Sequence, residues 1–413
     1  MPENELPDDQ APSPQSPRTP SSLPLRNSSW QRSQLLKRPT SPIPLNTEVF
    51  QGKSKRRMMP AFWYRWSRQV KILVTLATIL VLLGATAAVY FNFINKTTGS
   101  TVITKAAPAA PVKPKTVPSP LTGLQVSPEL AGRPVTGIMI ENSPDARPQS
   151  GIQDAGVVFE AIAEGGITRF LTLYQEAQPQ YIGPVRSLRP YYIDWAASFD
   201  ASIAHVGGSP DALNQIRSGG KDLDQFFNAD SYWRQNTRIA PHNVYTSFEK
   251  MDALNKSKGY TSSKFDAWPR KVDQKLATPT VRSINLNISS ANFNVHYDYD
   301  STTNSYMRSE GGAPHYAIVT ADENAKTQLH PKVVIALVMP YTIIDDSGHS
   351  GYGTIGSGTM YIFQDGGLAQ GTWAKASRTG QFVFTDSQNQ LLKLDTGQTW
   401  VSVIQDGQLN YNP

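Results

Sequence analysis

Two acidic residues interrupt an otherwise apolar segment, "FEAIAEGGITRF". If this segment is a strand, Glu160 shares one face with Val158 and Ile162, where large apolar side chains point. A carboxylate on a buried face must be paired or functional, so Glu160 and Glu164 are candidates for general acid or base chemistry. The alternative is a structural ion pair with one of three nearby arginines, Arg169, Arg186 or Arg189.

A second candidate site lies at "HVGGSPDA", where an apolar strand ends in a glycine turn before a helix. Gly207 and Gly208 permit a ligand to approach the backbone closely, and the start of the helix, capped by Ser209, favours an anion. Arg186 and Arg189 precede this turn, and their guanidinium groups suit a carboxylate or a phosphate. The pattern predicts an anion pocket if these side chains converge. Otherwise the glycines form a tight turn and the arginines pair with local acids.

Histidines complete the catalytic candidates. His205 ends the strand before the glycine turn, and His242 lies in "RIAPHNVYTS". Either could work with Glu160 or Glu164 in acid–base chemistry. No pair of histidines has the close spacing of a zinc-binding helix motif, and the chain has no cysteine. We therefore predict no metal and no cofactor, although a metal site assembled from distant His and Glu residues stays an alternative.

The positive charge of the chain is concentrated near its start. The formal net charge is +6, but the residues after position 120 hold 23 Lys and Arg against 28 Asp and Glu. The main part of the protein is therefore mildly acidic, which argues against a nucleic-acid partner.

One segment is suited to cross a membrane. Residues 72–91 form an uninterrupted run of 20 residues without charge, and about 20 apolar residues span the hydrocarbon core as a helix. The preceding segment, Lys53–Lys71, holds seven Lys and Arg and no acid. Since positive residues stay in the cytoplasm, we predict a single-pass cell-membrane protein with a cytoplasmic N-terminus and an extracytoplasmic main domain.

The rest of the chain divides by composition. Residues 1–69 are rich in Pro, Ser and Gln and predict a disordered basic cytoplasmic tail before a transmembrane helix at 70–94. A Pro/Ala/Lys linker follows at 95–120. Strand and helix signals alternate in 121–280 and predict an α/β subdomain. Short strands with Asp-Gly and Asp-Ser turns in 281–413 predict an antiparallel β-rich subdomain.

Two local predictions are specific enough to check directly. The segment "SLRPYYIDWAASF" predicts a helix with Ser187 as its N-cap and Pro190 in its first turn. The segment "KVVIALVMPYTII" predicts one long strand.

The residue patterns resemble those of a known family. "MIENSPDARPQSGIQDAGVVFEAIAEGGITRFLTLYQ", "IGPVRSLRPYYIDWA", "HVGGSPDA" and "APHNVYTS" resemble the YerB-like bacterial lipoprotein family, and the resemblance covers about residues 121–407. It implies an exported, membrane-anchored protein built from two domains of unknown function. Asn142, in the first of these segments, and Arg169 join the ligand-binding candidates.

The chain departs from the family pattern in two ways. The family is usually anchored by a lipidated cysteine, whereas here the apolar helix takes that role. The resemblance also leads us to expect an acid shortly after the histidine of "GGAPH", but Ala317 stands two positions after His315. This departure argues against a site built on His315.

Two classes of function follow from the sequence. The first is a non-catalytic envelope module that binds an anionic or glycan ligand or a cell-wall partner. The alternative is a hydrolase or transferase acting on an envelope polymer, with Glu and His as catalytic groups and the arginines as an anion clamp. The first is favoured because no nucleophile–base motif is recognisable.

Overall fold

A computed structural model describes residues 67–97 and 115–413. Most of the predicted tail and linker lies outside these residues. The first described segment is one α-helix, α1 (Arg68–Thr97), which is long and apolar enough to cross a membrane and contains the predicted residues 72–91.

The second described segment, residues 115–413, forms one compact unit in which α-helices occur only before residue 258. Its helices are α2 (Pro128–Ala131), α3 (Pro190–Ala197), α4 (Pro210–Arg217) and α5 (Phe248–Ser257). The strands before residue 280 are β1 (Val117–Pro118), β2 (Gln125–Val126), β3 (Thr136–Glu141), β4 (Gln149–Ser150), β5 (Val157–Glu164), β6 (Ile167–Tyr174), β7 (Ser202–His205), β8 (Lys221–Asp224), β9 (Trp233–Arg234), β10 (Val244–Tyr245) and β11 (Arg270–Lys271). The later strands are β12 (Ser283–Leu286), β13 (Val295–Asp300), β14 (Ser305–Glu310), β15 (Ala313–Pro314), β16 (Tyr316–Ile318), β17 (Lys326–Gln328), β18 (Val333–Val338), β19 (Tyr341–Ile343), β20 (Ser350–Tyr352), β21 (Gly356–Gln364), β22 (Gly367–Lys375), β23 (Val383–Asp386), β24 (Leu394–Asp395), β25 (Thr399–Ile404) and β26 (Leu409–Asn412).

A ten-stranded sheet organises this unit, in the order β23-β22-β21-β18-β25-β5-β6-β3-β7-β8. Strands from both predicted subdomains contribute to it. The late strand β25 lies between β18 and β5 and is parallel to both. The fold class is confirmed as α/β followed by a β-rich half, and β25 is a parallel exception in that second half. The predicted boundary at residue 280 therefore lies within one compact unit, because strands from both sides of this boundary belong to the same ten-stranded sheet.

Helices cover both faces of the sheet because its strands are apolar on both sides. Helices α3 and α4 bury Tyr192, Trp195 and Ile216 on one face, and α5 buries Phe248 and Met251 on the other. A five-stranded sheet, in the order β15-β14-β13-β12-β26, packs its own apolar side chains against the second half of the large sheet.

Two local predictions need correction. The N-cap of α3 is Arg189 and not Ser187, because the segment up to Pro190 is extended. A proline forces the preceding residue out of the helical region, and Leu188 pairs with Gly208 in a parallel bridge. The predicted long strand breaks after β18, because Pro340 cannot donate a ladder hydrogen bond. The chain then turns away and pairs β19 with β20.

Candidate functional site

The interior holds a buried carboxylate–guanidinium pair. Glu160 on β5 and Arg308 on β14 are fully buried, and Nη2 of Arg308 lies 3.0 Å from Oε1 of Glu160. Trp400 and Ser402 both donate hydrogen bonds to the other carboxylate oxygen, at 3.0 and 3.1 Å. The guanidinium also stacks 4.3 Å from the centre of the Trp400 ring. Because both oxygens of Glu160 are occupied, this carboxylate joins the two halves of the fold and does not face a ligand.

A chain of hydrogen bonds runs from this pair toward the loop after β3. Nε of Arg308 donates to Nδ1 of His315 at 2.9 Å, so the ring proton is on Nε2, which donates to Oε1 of Gln149 at 2.8 Å. Nε2 of Gln149 then donates to Oδ1 of Asn142 at 2.8 Å. Burial and the charges of Arg308 and Arg147 hold the pKa of His315 well below its usual value. The imidazole is therefore neutral, and Asn142 is a buried connector.

Glu310, at the end of β14, lines a cavity of about 320 Å³. Its Oε1 accepts a hydrogen bond from Nδ2 of Asn142 at 2.6 Å and lies 3.3 Å from Nη2 of Arg147. Its Oε2 is buried without a hydrogen-bond partner in the described part of the chain, 3.2 Å from Nδ1 of His315. Burial, reinforced by the charge of Glu160, raises the pKa of Glu310 to about 7 despite the nearby guanidinium groups.

A second cluster lies where β3 ends. Oε2 of the buried Glu141 lies 3.0 Å from Nδ1 of His242, and Oε1 lies 3.3 Å from Nε of Arg186. The side chains of Arg186 and His242 are 29% and 21% exposed. Among residues 115–413, no hydrogen-bond partner meets the Nη atoms of Arg186 or Nε2 of His242. The buried acid therefore orients two side chains whose outer nitrogen atoms stay open to a ligand.

His242 also lines a larger cavity of about 570 Å³. Arg147 and Pro148 line both this cavity and the smaller one beside Glu310. We call the two adjoining cavities the Arg147 groove. Its charged and titratable lining is mixed in sign, with Arg147, Lys326, Arg238, His242, Asp145, Glu310, His315 and Glu323.

The cluster at Glu141 lacks the geometry of a serine hydrolase. Ser143 and Glu141 approach the same ring nitrogen of His242, Nδ1, at 3.3 and 3.0 Å. In a catalytic triad the serine and the acid contact opposite nitrogens of the histidine. Ser143 instead donates its hydroxyl proton to Oε1 of Glu141 at 3.1 Å.

Glu164 binds two of the predicted arginines at once. Arg169 donates to Oε1 at 3.0 Å, and Nε of Arg189 donates to Oε2 at 2.7 Å. Burial alone would raise the pKa of Glu164, but the two guanidinium groups hold it below its usual value. Both arginines are buried, so this triplet is a structural ion-pair network, the alternative considered for the acidic segment.

The glycine turn is occupied by its own neighbours. The N–H of Gly207 donates to Oδ1 of Asp224 at 3.0 Å, and His205 contacts the carbonyl oxygen of Gly207 through Nδ1 at 2.7 Å. Gly207 has φ of 59°, and the ring of Phe226 lies 3.0 Å from where a Cβ would stand.

Ser209 caps α4 by accepting a hydrogen bond from the N–H of Ala212, as predicted from its position. The other nitrogen of His205 lies 3.0 Å from Asp222. Gly208 lies against Leu188, where a Cβ would stand 3.0 Å from the Leu188 carbonyl oxygen.

Comparison with known proteins agrees with this architecture. Residues 121–261 and 284–401 match the N- and C-terminal domains of the family described as "Protein of unknown function (DUF3048)". The chain is 31% identical over 306 residues to "Putative lipoprotein YerB" of Bacillus subtilis (strain 168), covering 72% of this chain and 89% of that protein. The chain belongs to the YerB-like family. The crystal structure of YerB protein from Bacillus subtilis, 27% identical, matches with a TM-score of 0.64 and covers 72% of this chain and 100% of that one.

In this YerB-like protein the Arg147 groove lies between the two family domains. Arg147 and His242 come from the first, and Glu310 and His315 from the second. The structure brings together two of the predicted site residues, Arg186 and His242. It separates them from the networks that contain the other charged candidates, Glu160, Glu164, Arg169, Arg189 and His205. In residues 67–97 and 115–413, no group of three or more acids or histidines could hold a metal ion.

Sequence reasoning missed four residues of these clusters, Glu141, Arg147, Arg308 and Glu310, and it argued against a site at His315. A signal existed for the strand "SYMRSE", because residues alternate between the two faces of a strand. Tyr306 shares its face with Arg308 and Glu310, and all three are buried. Reading that alternation would have marked an inward-facing cation and acid in the YerB-like chain. No sequence signal identified Arg147.

Proposed function

We propose that this protein is a membrane-anchored, extracytoplasmic envelope protein that binds an anionic glycan in the Arg147 groove. The apolar helix α1 anchors it, with the basic segment before α1 in the cytoplasm and residues 115–413 outside. The family relative in Bacillus subtilis carries the name of a lipoprotein, which supports a protein held at a membrane. The basic flank before α1 supports the orientation.

The open nitrogen atoms of Arg186 and His242 carry the proposal. Both side chains form ion pairs with the buried Glu141, and the Nη atoms of Arg186 and Nε2 of His242 have no hydrogen-bond partner among residues 115–413. His242 lines the groove, and Arg186 lies beside it through this shared acid. A guanidinium whose two Nη groups are free presents one edge that fits a carboxylate or phosphate in a bidentate manner. Because the folded protein already restricts these side chains, binding an anion costs little further side-chain entropy.

The remaining surface of the groove favours hydroxyl groups. Its lining mixes acids, amines, guanidinium groups and the exposed ring of Tyr316. Glycan hydroxyls act as both donors and acceptors, so a lining with both kinds of group can satisfy them. An anionic glycan would place its charged group at Arg186 and His242 and its sugar rings along the groove. It would thereby use the open nitrogen atoms and the mixed polar lining together.

The enzyme alternative is not proposed. Glu160 and Glu164 are saturated by ion pairs, and His205 contacts its own turn and Asp222. None of these three groups lines the described cavity that contains His242, and the two predicted acids are held in separate ion-pair networks, which is not the two-carboxylate arrangement of a glycan hydrolase.

The test is a binding titration of the full-length protein in detergent micelles by isothermal calorimetry. The probes are trigalacturonic acid as a carboxylated glycan, glycerol 3-phosphate as a phosphate, and chitotriose as a neutral glycan. Arg186→Gln should weaken binding of the anionic probes by tenfold or more, because a charge-assisted hydrogen bond contributes about 1.5–3 kcal/mol. Chitotriose affinity should stay unchanged.

The matched control is Arg282→Gln, since Arg282 is an exposed arginine on β-rich surface outside the groove. Arg186→Lys keeps the charge but loses the fork, and should give an intermediate affinity. If Arg186→Gln binds both anions as tightly as wild type, the proposed site is wrong. A preference for trigalacturonic acid over glycerol 3-phosphate would identify carboxylate as the anion, and the reverse would identify phosphate.

A further inference from the structure

The carboxyl group of Glu310 has an unusual hydrogen-bonding problem. Its side chain is 1% exposed, and Oε2 accepts no hydrogen bond within the described residues, although it lies 3.2 Å from Nδ1 of His315 and 3.7 Å from Nη2 of Arg308. That ring nitrogen already accepts a hydrogen bond from Nε of Arg308. An ionised Glu310 would therefore direct an acceptor oxygen at an acceptor nitrogen, with no proton between them.

A proton on Oε2 of Glu310 removes this conflict. The neutral carboxyl can donate its O–H toward Nδ1 of His315, sharing the lone pair of that nitrogen with the N–H of Arg308, while Oε1 continues to accept from Asn142. Placing the proton on Nδ1 of His315 instead would oppose the N–H of Arg308. Geometry thus favours Glu310 as the proton carrier, and a buried unpaired acceptor is costly in any folded protein.

The charges that face Glu310 come from four separate elements. Arg308 lies on its own strand, and His315 follows β15. Glu160 on β5 and Arg147 after β3 complete the set. Only Arg147 among them also lines the larger cavity of the groove. The charge of Glu310 therefore acts on the ligand site through Arg147.

We propose that Arg147 is the second anion-binding group of the groove, and that anion binding there is coupled to uptake of a proton by Glu310. When Glu310 is ionised, its carboxylate compensates Arg147 at 3.3 Å. When Glu310 is neutral, this compensation is lost and the positive charge of Arg147 acts on the ligand, although its guanidinium still donates hydrogen bonds to Asn142 and to the carbonyl oxygen of Asn292. This inference rests on the proposed function, because it concerns the same anionic ligand.

The direction of the coupling follows from linkage. A ligand anion is a like charge beside Glu310, so it disfavours the ionised carboxyl and raises its pKa further. Since burial already brings that pKa to about 7, the uptake occurs near neutral pH. Affinity should rise as pH falls from 8 to 6, by roughly fivefold if the bound anion raises the pKa by about one unit.

The experiment uses the full-length protein in detergent micelles with trigalacturonic acid at pH 7. Calorimetric titrations in two buffers of different ionisation enthalpy measure the protons taken up per ligand bound. Wild type should take up a measurable fraction of one proton. Glu310→Gln should bind with less proton uptake than wild type and with a weaker dependence of affinity on pH between 6 and 8, because His242 is then the titratable group that remains at the anion site.

The outcomes separate the two proposals. If Arg186→Gln loses binding but wild type takes up no proton, the groove binds anions and the coupling to Glu310 is wrong. Uptake that persists unchanged in Glu310→Gln assigns the proton to another group and also overturns the coupling. If wild type binds none of the anionic probes, both proposals fail. Arg147→Gln should lower both affinity and proton uptake, whereas Arg282→Gln should change neither.

Discussion

Removing one partner of the buried Glu160–Arg308 pair should destabilise the fold far more than removing both. Arg308→Met leaves Glu160 with only the N–H of Trp400 and the hydroxyl of Ser402, in a place without access to water. Breaking a buried ion pair in this way costs about 3–5 kcal/mol, whereas replacing both charges is often close to neutral. The double variant Arg308→Met/Glu160→Gln should therefore be more stable than Arg308→Met alone.

The measurement is a double-mutant cycle on the free energy of unfolding. Urea unfolding of the full-length protein in detergent micelles can be followed by tryptophan fluorescence, since the Trp400 ring packs against the guanidinium of Arg308. We expect a coupling energy of about 3 kcal/mol or more between the two positions. The control is the ion pair between Arg378 and Asp194, in which Arg378 is exposed to solvent. The same cycle on this pair should give a coupling energy of about 1 kcal/mol or less. Strictly additive losses at positions 160 and 308 would show that the pair does not act as a unit.

Two further predictions concern the glycine turn and the membrane topology. Gly207→Ala should destabilise the fold by about 1 kcal/mol or more, because φ of 59° strains an alanine and the new Cβ would meet Phe226. Thermal unfolding measures this loss of stability, and an unchanged unfolding midpoint would contradict the prediction. Because the chain has no cysteine, a cysteine introduced at Ser13 or at the exposed Ser347 gives a unique label site. A membrane-impermeant maleimide should modify intact cells only through Ser347→Cys, and labelling of Ser13→Cys alone would reverse the proposed orientation.

Local patterns predicted some elements correctly. The acidic segment that holds Glu160 is a strand, β5, and "GGSP" correctly marked the start and cap of α4. These features depend on neighbours within a few positions, so the sequence contains them directly. The same patterns gave no information on which strand lies beside β5, because that strand is far along the chain.

The clusters were harder to predict because their partners are distant in sequence. Glu160 was correctly recognised as an acid that must be paired if buried, but its partner Arg308 follows 148 residues later. The arginines near Glu160 in the sequence were the natural alternatives. Two of them, Arg169 and Arg189, pair with Glu164 instead. The orientation of Arg186 depends on Glu141, which is the last residue of an apolar strand and carries no motif.

The position of β25 has a consequence for the order of events during biosynthesis. Trp400 on this strand follows Glu160 on its neighbour β5 by 240 residues. Strands β5 and β18 are therefore synthesised before the strand that joins them, and each presents an open edge until residues 399–404 are available. Closure of the main sheet waits for β25. A chain truncated before residue 399 would leave two unpaired edges, the kind of surface that promotes aggregation.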